Sequence, residues 1–330
     1  MSDHDDLELW ALDALDIDEL RSFDARIDSD GALASAADRL RLVVAAMGED
    51  VSAAAPASVR DRVLGAAGNL RPSRLSRPAS SPIETFLHQV AAFDATIEQL
   101  AHEQWQAPAR PYDWSVHGLL AHLLQIERYM SRVLGISQGE ADPHERDHLR
   151  FGAAGIADEL LRSPQQTFES WRAAVAHTVD RLEGLDLEAG VVFHQYPFQV
   201  RTLLVARSFE LWTHADDVRR AVGESLASPI GPDVQLMSDT SVGSLPRAIR
   251  VVTDRVPDGS ARVVLTGDGG GVWDLQLGGG GPELVSIVAD AVDYCRLAAR
   301  RIAPSDLVAE IDGDIDLARL LMAASAVVAV

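Results

Sequence analysis

Between Ser81 and Gly223 apolar residues recur at three- and four-residue intervals over four long stretches, and this periodicity limits the fold more than any other feature. The first stretch opens with Ser81-Pro82-Ile83-Glu84, a capping box with proline at the first helical position. It continues through Phe86, Leu87, Val90, Phe93, Ile97 and Leu100. The second covers 115–134 and stops at Gly135. The third covers 164–185, carried by Phe168, Trp171, Val175, Val179 and Leu182. The fourth covers 200–222 and stops at Gly223. Each stretch has an apolar face to bury, so the four predict a helix bundle over 82–225. The connection 139–155 is long enough to form a rim or lid.

The flanks differ. Residues 1–70 hold short apolar helical patterns (Leu7, Leu9, Trp10, Leu12, Leu15; then Leu33, Leu40, Val43, Val44, Met47; then 56–64) and no strand pattern. Residues 71–81 are rich in Pro, Ser and Arg and read as a flexible linker. From Leu226 the pattern changes. Strand signals at 262–265 and 272–277 flank Gly267-Asp268-Gly269-Gly270-Gly271, a hairpin signal. Further strands are expected at 284–288 and 307–311, with helices at 290–301 and 316–321. The predicted fold class is therefore mainly α: a small helical N-terminal domain (1–70), a central four-helix bundle (82–225) and a small α+β C-terminal domain (226–330). The glycines at 278–281 do not open a helix after a strand, so they are no dinucleotide fingerprint.

The 330 residues carry 50 acidic and 29 basic side chains, a formal charge of −21. Such a field repels nucleic acid and anionic membrane, so neither is an expected partner. The single cysteine, Cys295, excludes an internal disulfide framework and fits a reducing cytoplasm, where the chain is expected. Cys295 reads as a buried small hydrophobe with no nucleophile signature around it. The N-terminus lacks the basic start of a signal peptide, and no apolar run is long enough to span a bilayer.

The chemistry concentrates in the fourth helix. Glu210 and His214 are four residues apart, which stacks them on one face with about 5–6 Å between Cβ atoms. His214 lies on the stripe Leu203, Arg207, Leu211, His214, Val218, and Glu210 borders it. A carboxylate beside an apolar stripe needs a partner, and a metal is one. His122 lies on the line Leu119, His122, Ile126, Tyr129 of the second helix. Facing helices of a bundle would bring it to the pair. Two His and one Glu form a common catalytic zinc set with an open fourth position, and iron, nickel or manganese also suit the donors. His117 reads as surface, and His88, His102, His177 and His194 as isolated. Arg300 and Arg301 answer the dipole of the helix they close, or contact an anion or sugar alcohol between domains.

Trp114-Ser115-Val116-His117-Gly118-Leu119-Leu120-Ala121-His122-Leu123, together with the run from Glu210 to Gly223, resembles the mycothiol-dependent maleylpyruvate isomerase family, a branch of the DinB-like metal-binding bundles. The run from Tyr294 to Leu307, with Gly313-Asp314, is similar to that family's C-terminal domain. The resemblance implies zinc at His122, Glu210 and His214, and mycothiol as an external thiol cofactor. Arg300 and Arg301 are then candidate contacts for the cofactor's polar part. It also implies activation of that thiol for attack on an electrophilic substrate, giving isomerisation or thiol transfer. Residues 1–70 resemble the sigma-binding domain of zinc-free anti-sigma factors through the run from Leu9 to Leu20 and the run from Ala55 to Leu64. Arg26, Asp30 and Leu33 stand where zinc-bearing members have His and Cys. That resemblance implies a sigma-factor partner. It also opens an alternative function, a soluble anti-sigma factor or transcription regulator whose bundle senses thiol or ligand status. A third reading is a metal-free binding module whose polar residues pair with one another.

Overall fold

A computed structural model of the chain describes residues 80–109, 113–138, 144 and 150–326, together with scattered positions from 7 to 40. Residues 71–79 of the expected linker 71–81, the expected helix at 56–64, and residues 139–143 and 145–149 of the expected connection 139–155 lie outside the described residues. The chain divides into two compact units, Met1–Leu75 and Ser76–Val330.

In the first unit almost all the described positions are helical, and Leu7, Trp10, Phe23 and Ala37 form a buried cluster. Trp10 and Phe23 lie with ring centroids 6.1 Å apart.

The second unit begins with helix α1 (Pro82–Glu98). Ser81 caps it through a reciprocal bond with Glu84, as the capping-box sequence predicts. Helix α2 (Val116–Val133) is capped by the Ser115 hydroxyl, which accepts from the Gly118 N–H. A short helix α3 (Ala153–Leu160) begins at the end of the expected connection 139–155 and continues past it. Helix α4 (Pro164–Leu182) follows, three residues shorter at its C-terminus than the periodicity predicts. Helix α5 (Val200–Val222) ends at Gly223, whose φ of 77° is a left-handed conformation open to glycine without strain. Helix α1 packs mainly on α5, and α2 on α4, around a core that includes Phe86, Phe93, Leu120, Leu124, Trp171 and Leu211. A hairpin of β3 (Gly190–Phe193) and β4 (Tyr196–Gln199) precedes α5. A two-residue pairing of β1 (Pro108–Ala109) with β2 (Trp114–Ser115) precedes α2.

The remainder is α+β. A long helix α6 (Gly231–Val252), absent from the sequence-based expectation, precedes the strands. Pro246 and several Ser and Gly residues weaken its helical signal, and its apolar face (Val234, Met237, Val242, Leu245, Ile249) supplies what propensity lacks. The four-stranded sheet has the order β6-β5-β7-β8, with β5 (Gly259–Thr266), β6 (Gly271–Leu277), β7 (Glu283–Asp290) and β8 (Ala309–Gly313). The β5–β6 pair is the hairpin expected from the glycine cluster. β5 and β7 are parallel, and the other pairings are antiparallel. Ala261, Val263, Leu265, Val285 and Ile287 alternate inward against α6, α7 (Ala291–Ala298) and α8 (Ile315–Ser325). The whole is mainly α with a small α+β part, as the periodicities predict.

Helix α5 serves both cores. Leu203, Leu204, Leu211, Ala215 and Val218 face the bundle, while Val205 and Trp212 enter the α+β core. The Trp212 indole donates to the Ala227 carbonyl at 2.8 Å. Asp233, fully buried near the start of α6, accepts from Thr85 and Gln89 of α1 at 3.2 and 3.0 Å and sits 3.1 Å from His88 Nδ1. These ties hold the two parts together around α5. No helix among the described residues is long and apolar enough to cross a membrane.

Candidate functional site

Helices α2 and α5 bring His122, Glu210 and His214 together. One ligand-type atom from each lies within 4.8 Å of the others. His122 Nε2 is 3.4 Å from Glu210 Oε1, and the His122 and His214 rings have centroids 5.9 Å apart at 76°. The two histidines are only 2% and 3% exposed, so this is a buried constellation and not a solvated helix face. Trp114, just before the α2 cap, lies on His122 with centroids 4.8 Å apart. Gly118 leaves room for that packing, since a Cβ there would come within 3.3 Å of the Trp114 Cβ.

The second ring of partners is charged. Asp217, one turn after His214, holds His214 Nδ1 at 3.0 Å. A carboxylate on Nδ1 fixes both the ring plane and the tautomer, placing the proton on Nδ1 and making Nε2 the basic nitrogen. Arg301, just past the end of α7, donates to Asp217 through Nε and Nη2, the shortest contact being 2.7 Å. Its Nη2 also lies 3.4 Å from His214 Nδ1, and its Nη1 donates to the Ala299 carbonyl. Arg300 sits differently. With a φ of 57° it turns away, is exposed, and donates from Nε to the Ala326 carbonyl at the end of α8.

On the other side of Glu210, Arg207 Nη1 donates to Oε2. Burial pushes the Glu210 carboxyl up, but Arg207, His122 and His214 together outweigh it and hold the group well below the usual carboxylate range. Burial lowers the His214 pKa, Asp217 opposes this, and Arg301 adds to the lowering, so the ring favours its neutral form. An ionised carboxylate and a neutral imidazole are the protonation states a divalent metal requires. Glu210 Oε1 is buried and makes no hydrogen bond, its contact with His122 lacking hydrogen-bond geometry. A cation between the imidazoles would satisfy that oxygen, and the N₂O donor set fits a divalent ion.

Of the sequence-derived site residues, the structure brings together His122, Glu210, His214 and Arg301, and places Arg300 apart. The sequence pattern did not point to Asp217, Arg207 or Trp114 as neighbours of the site. A His-x-x-Asp spacing on one helix face and an arginine inside an apolar stripe were the available signals. His117, expected at the surface, is 3% exposed. It turns inward against Trp105 and lies 3.0 Å from the Thr167 hydroxyl. His194 is also buried, in the β3–β4 turn among Tyr129, Phe151 and Phe193.

Comparison with known proteins follows the same lines. Residues 86–219 match the mycothiol maleylpyruvate isomerase N-terminal domain. The matched span contains all three residues of the triad. Two solved structures, a mycothiol-dependent maleylpyruvate isomerase and a histidine-to-alanine mutant of a mycothiol-dependent maleylpyruvate isomerase, superimpose with a TM-score of 0.50. Each match covers 71% of this chain and 93% of the other, at 15% and 14% identity respectively. At that identity the likeness is one of fold. No curated protein sequence matches.

Proposed function

We propose that the chain is a metal-dependent, mycothiol-dependent isomerase or thiol transferase, with His122, Glu210 and His214 holding zinc or another divalent ion. The observation that carries this reading is the buried, hydrogen-bond-free oxygen of Glu210 between two imidazoles. The domain match over 86–219 supports the choice of thiol. A divalent metal in such a site supplies Lewis acidity and lowers the pKa of a thiol at its open position.

The chain's own groups do the rest. Asp217 keeps the proton of His214 on Nδ1, and Arg301 anchors Asp217. Arg207 keeps Glu210 ionised. Trp114 and the apolar core keep water from the buried side of His122. The reaction class is addition of the external thiol to an electrophilic carbon. Elimination after bond rotation gives isomerisation, and retention of the new bond gives transfer. Of the two arginines proposed for the cofactor's polar part, proximity favours Arg301. Replacing His214 with Ala should abolish metal uptake and thiol-dependent turnover together. Wild-type metal content in that variant removes the assignment.

The sigma-factor-binding reading of 1–70 is a separate proposal, supported by the helical, clustered core of its described positions. With it stands the alternative that the bundle reports thiol status to a transcription partner. Both readings place the protein in the cytoplasm, with domains at 1–70, 82–225 and 226–330. Co-purification of the full chain with co-expressed sigma factors tests the partner, and failure with every candidate removes it.

A further inference from the structure

We infer that Arg207, braced by Glu127, is a positioning residue that restricts Glu210 to one-oxygen donation at the metal site. This rests on the metal-ligand reading above. Arg207 is 1% exposed and stands one turn before Glu210, with Nη1 on Oε2, while Oε1 faces His122. A carboxylate oxygen held by a guanidinium in this way leaves a single oxygen for an ion.

Behind Arg207 lies Glu127 of α2, wholly buried. Its Oε2 is 3.7 Å from Arg207 Nη2, and its Oε1 accepts from the Thr178 hydroxyl of α4 at 2.7 Å. The chain Thr178–Glu127–Arg207–Glu210 thus crosses three helices of the bundle. Arg207 Nε and Nη2 and Glu127 Oε2 make no hydrogen bonds. As a stabilising device this is poor, since buried ions with unmet hydrogen bonds cost more than apolar side chains of the same volume. The arrangement does fix the far oxygen of Glu210. If both oxygens swung onto the ion, the position needed by an incoming thiol would be filled. Arg207 holds the coordination number low.

The test loads the full chain with Co²⁺ in place of Zn²⁺ and reads its visible d–d absorption, which is intense for low-coordinate sites and weak for crowded ones. Wild type should absorb strongly. Arg207→Lys, and the charge-balanced pair Arg207→Met with Glu127→Gln, should lose this intensity severalfold while keeping the helical circular dichroism of wild type. A folded variant with the unchanged spectrum overturns the inference. X-ray absorption on the wild-type Zn²⁺ protein needs no variant: one Glu oxygen on the metal supports the inference, and two overturn it. Failure of wild type to take up either ion instead removes the metal-site reading itself.

Discussion

Replacing Asp217 with Asn separates a residue that orients His214 from one that merely neutralises Arg301. Asp217 accepts from Arg301 and from His214 Nδ1, and is itself 2% exposed. Oδ2 of Asp217 accepts from both His214 Nδ1 and Arg301 Nη2, while Oδ1 faces Arg301 Nε and Arg220. An asparagine with its carbonyl at the Oδ2 position leaves its NH₂ against two arginines. One turned the other way sets its NH₂ against Nδ1, so that the ring must accept there and carry its proton on Nε2, the nitrogen proposed for the metal. Loss of such a partner typically weakens metal binding about 10–100-fold, or about 1.4–2.8 kcal/mol. The fold also suffers, because Arg301, with only 9% of its side chain exposed, loses its full countercharge. We expect about 2–3 kcal/mol, less than the ~3–5 for outright removal of a buried ion partner, because an acceptor remains. Zn²⁺ competition with a chromophoric chelator measures the first effect, and urea unfolding of the metal-free chain measures the second. Lower stability with wild-type Zn²⁺ affinity would refute the orienting role.

Three further outcomes follow from packing and burial. Trp171 is 1% exposed and packs edge-on to Phe93 at 5.1 Å, so Trp171→Ala should cost about 3–5 kcal/mol in urea unfolding. Asp233→Ala leaves Thr85 and Gln89 as donors in a buried site, and should cost about 3 kcal/mol on the scale of unmet buried hydrogen bonds, read from the same curves. Burial pushes the Cys295 thiol up to about 12, so an alkylating reagent at pH 8 should leave it unmodified in the native chain and label it fully in urea, as read by mass spectrometry.

The bundle and its metal-type triad were legible because they depend on local order. The spacing of Glu210 and His214 sets their common face, and the apolar line through His122 turns it toward the core. The hairpin was legible from its glycines. Helix α6 was not, since its sequence is a poor helix former and its stability comes from packing on α7, α8 and β6, which follow it in the chain. The charged partners were hidden for another reason. Arg301 reaches Asp217 across 84 residues, and Arg207 reaches Glu127 across 80, separations that no local pattern encodes. Arg207 sat in view within an apolar stripe, but Glu210 one turn on is a local partner, so nothing in the pattern called for a second, distant one. His117 read as surface because it lies at a helix start, whereas the α4 packing that buries it is distant in sequence.

The most direct test of the central claim is the metal content of the full chain, purified without chelator or histidine tag, beside His122→Ala, Glu210→Gln and His214→Ala. Close to one divalent ion per chain in wild type, lost in all three variants while the circular dichroism stays helical, is the predicted result. A folded wild type that carries no ion and takes none up from Zn²⁺ solution would contradict the account.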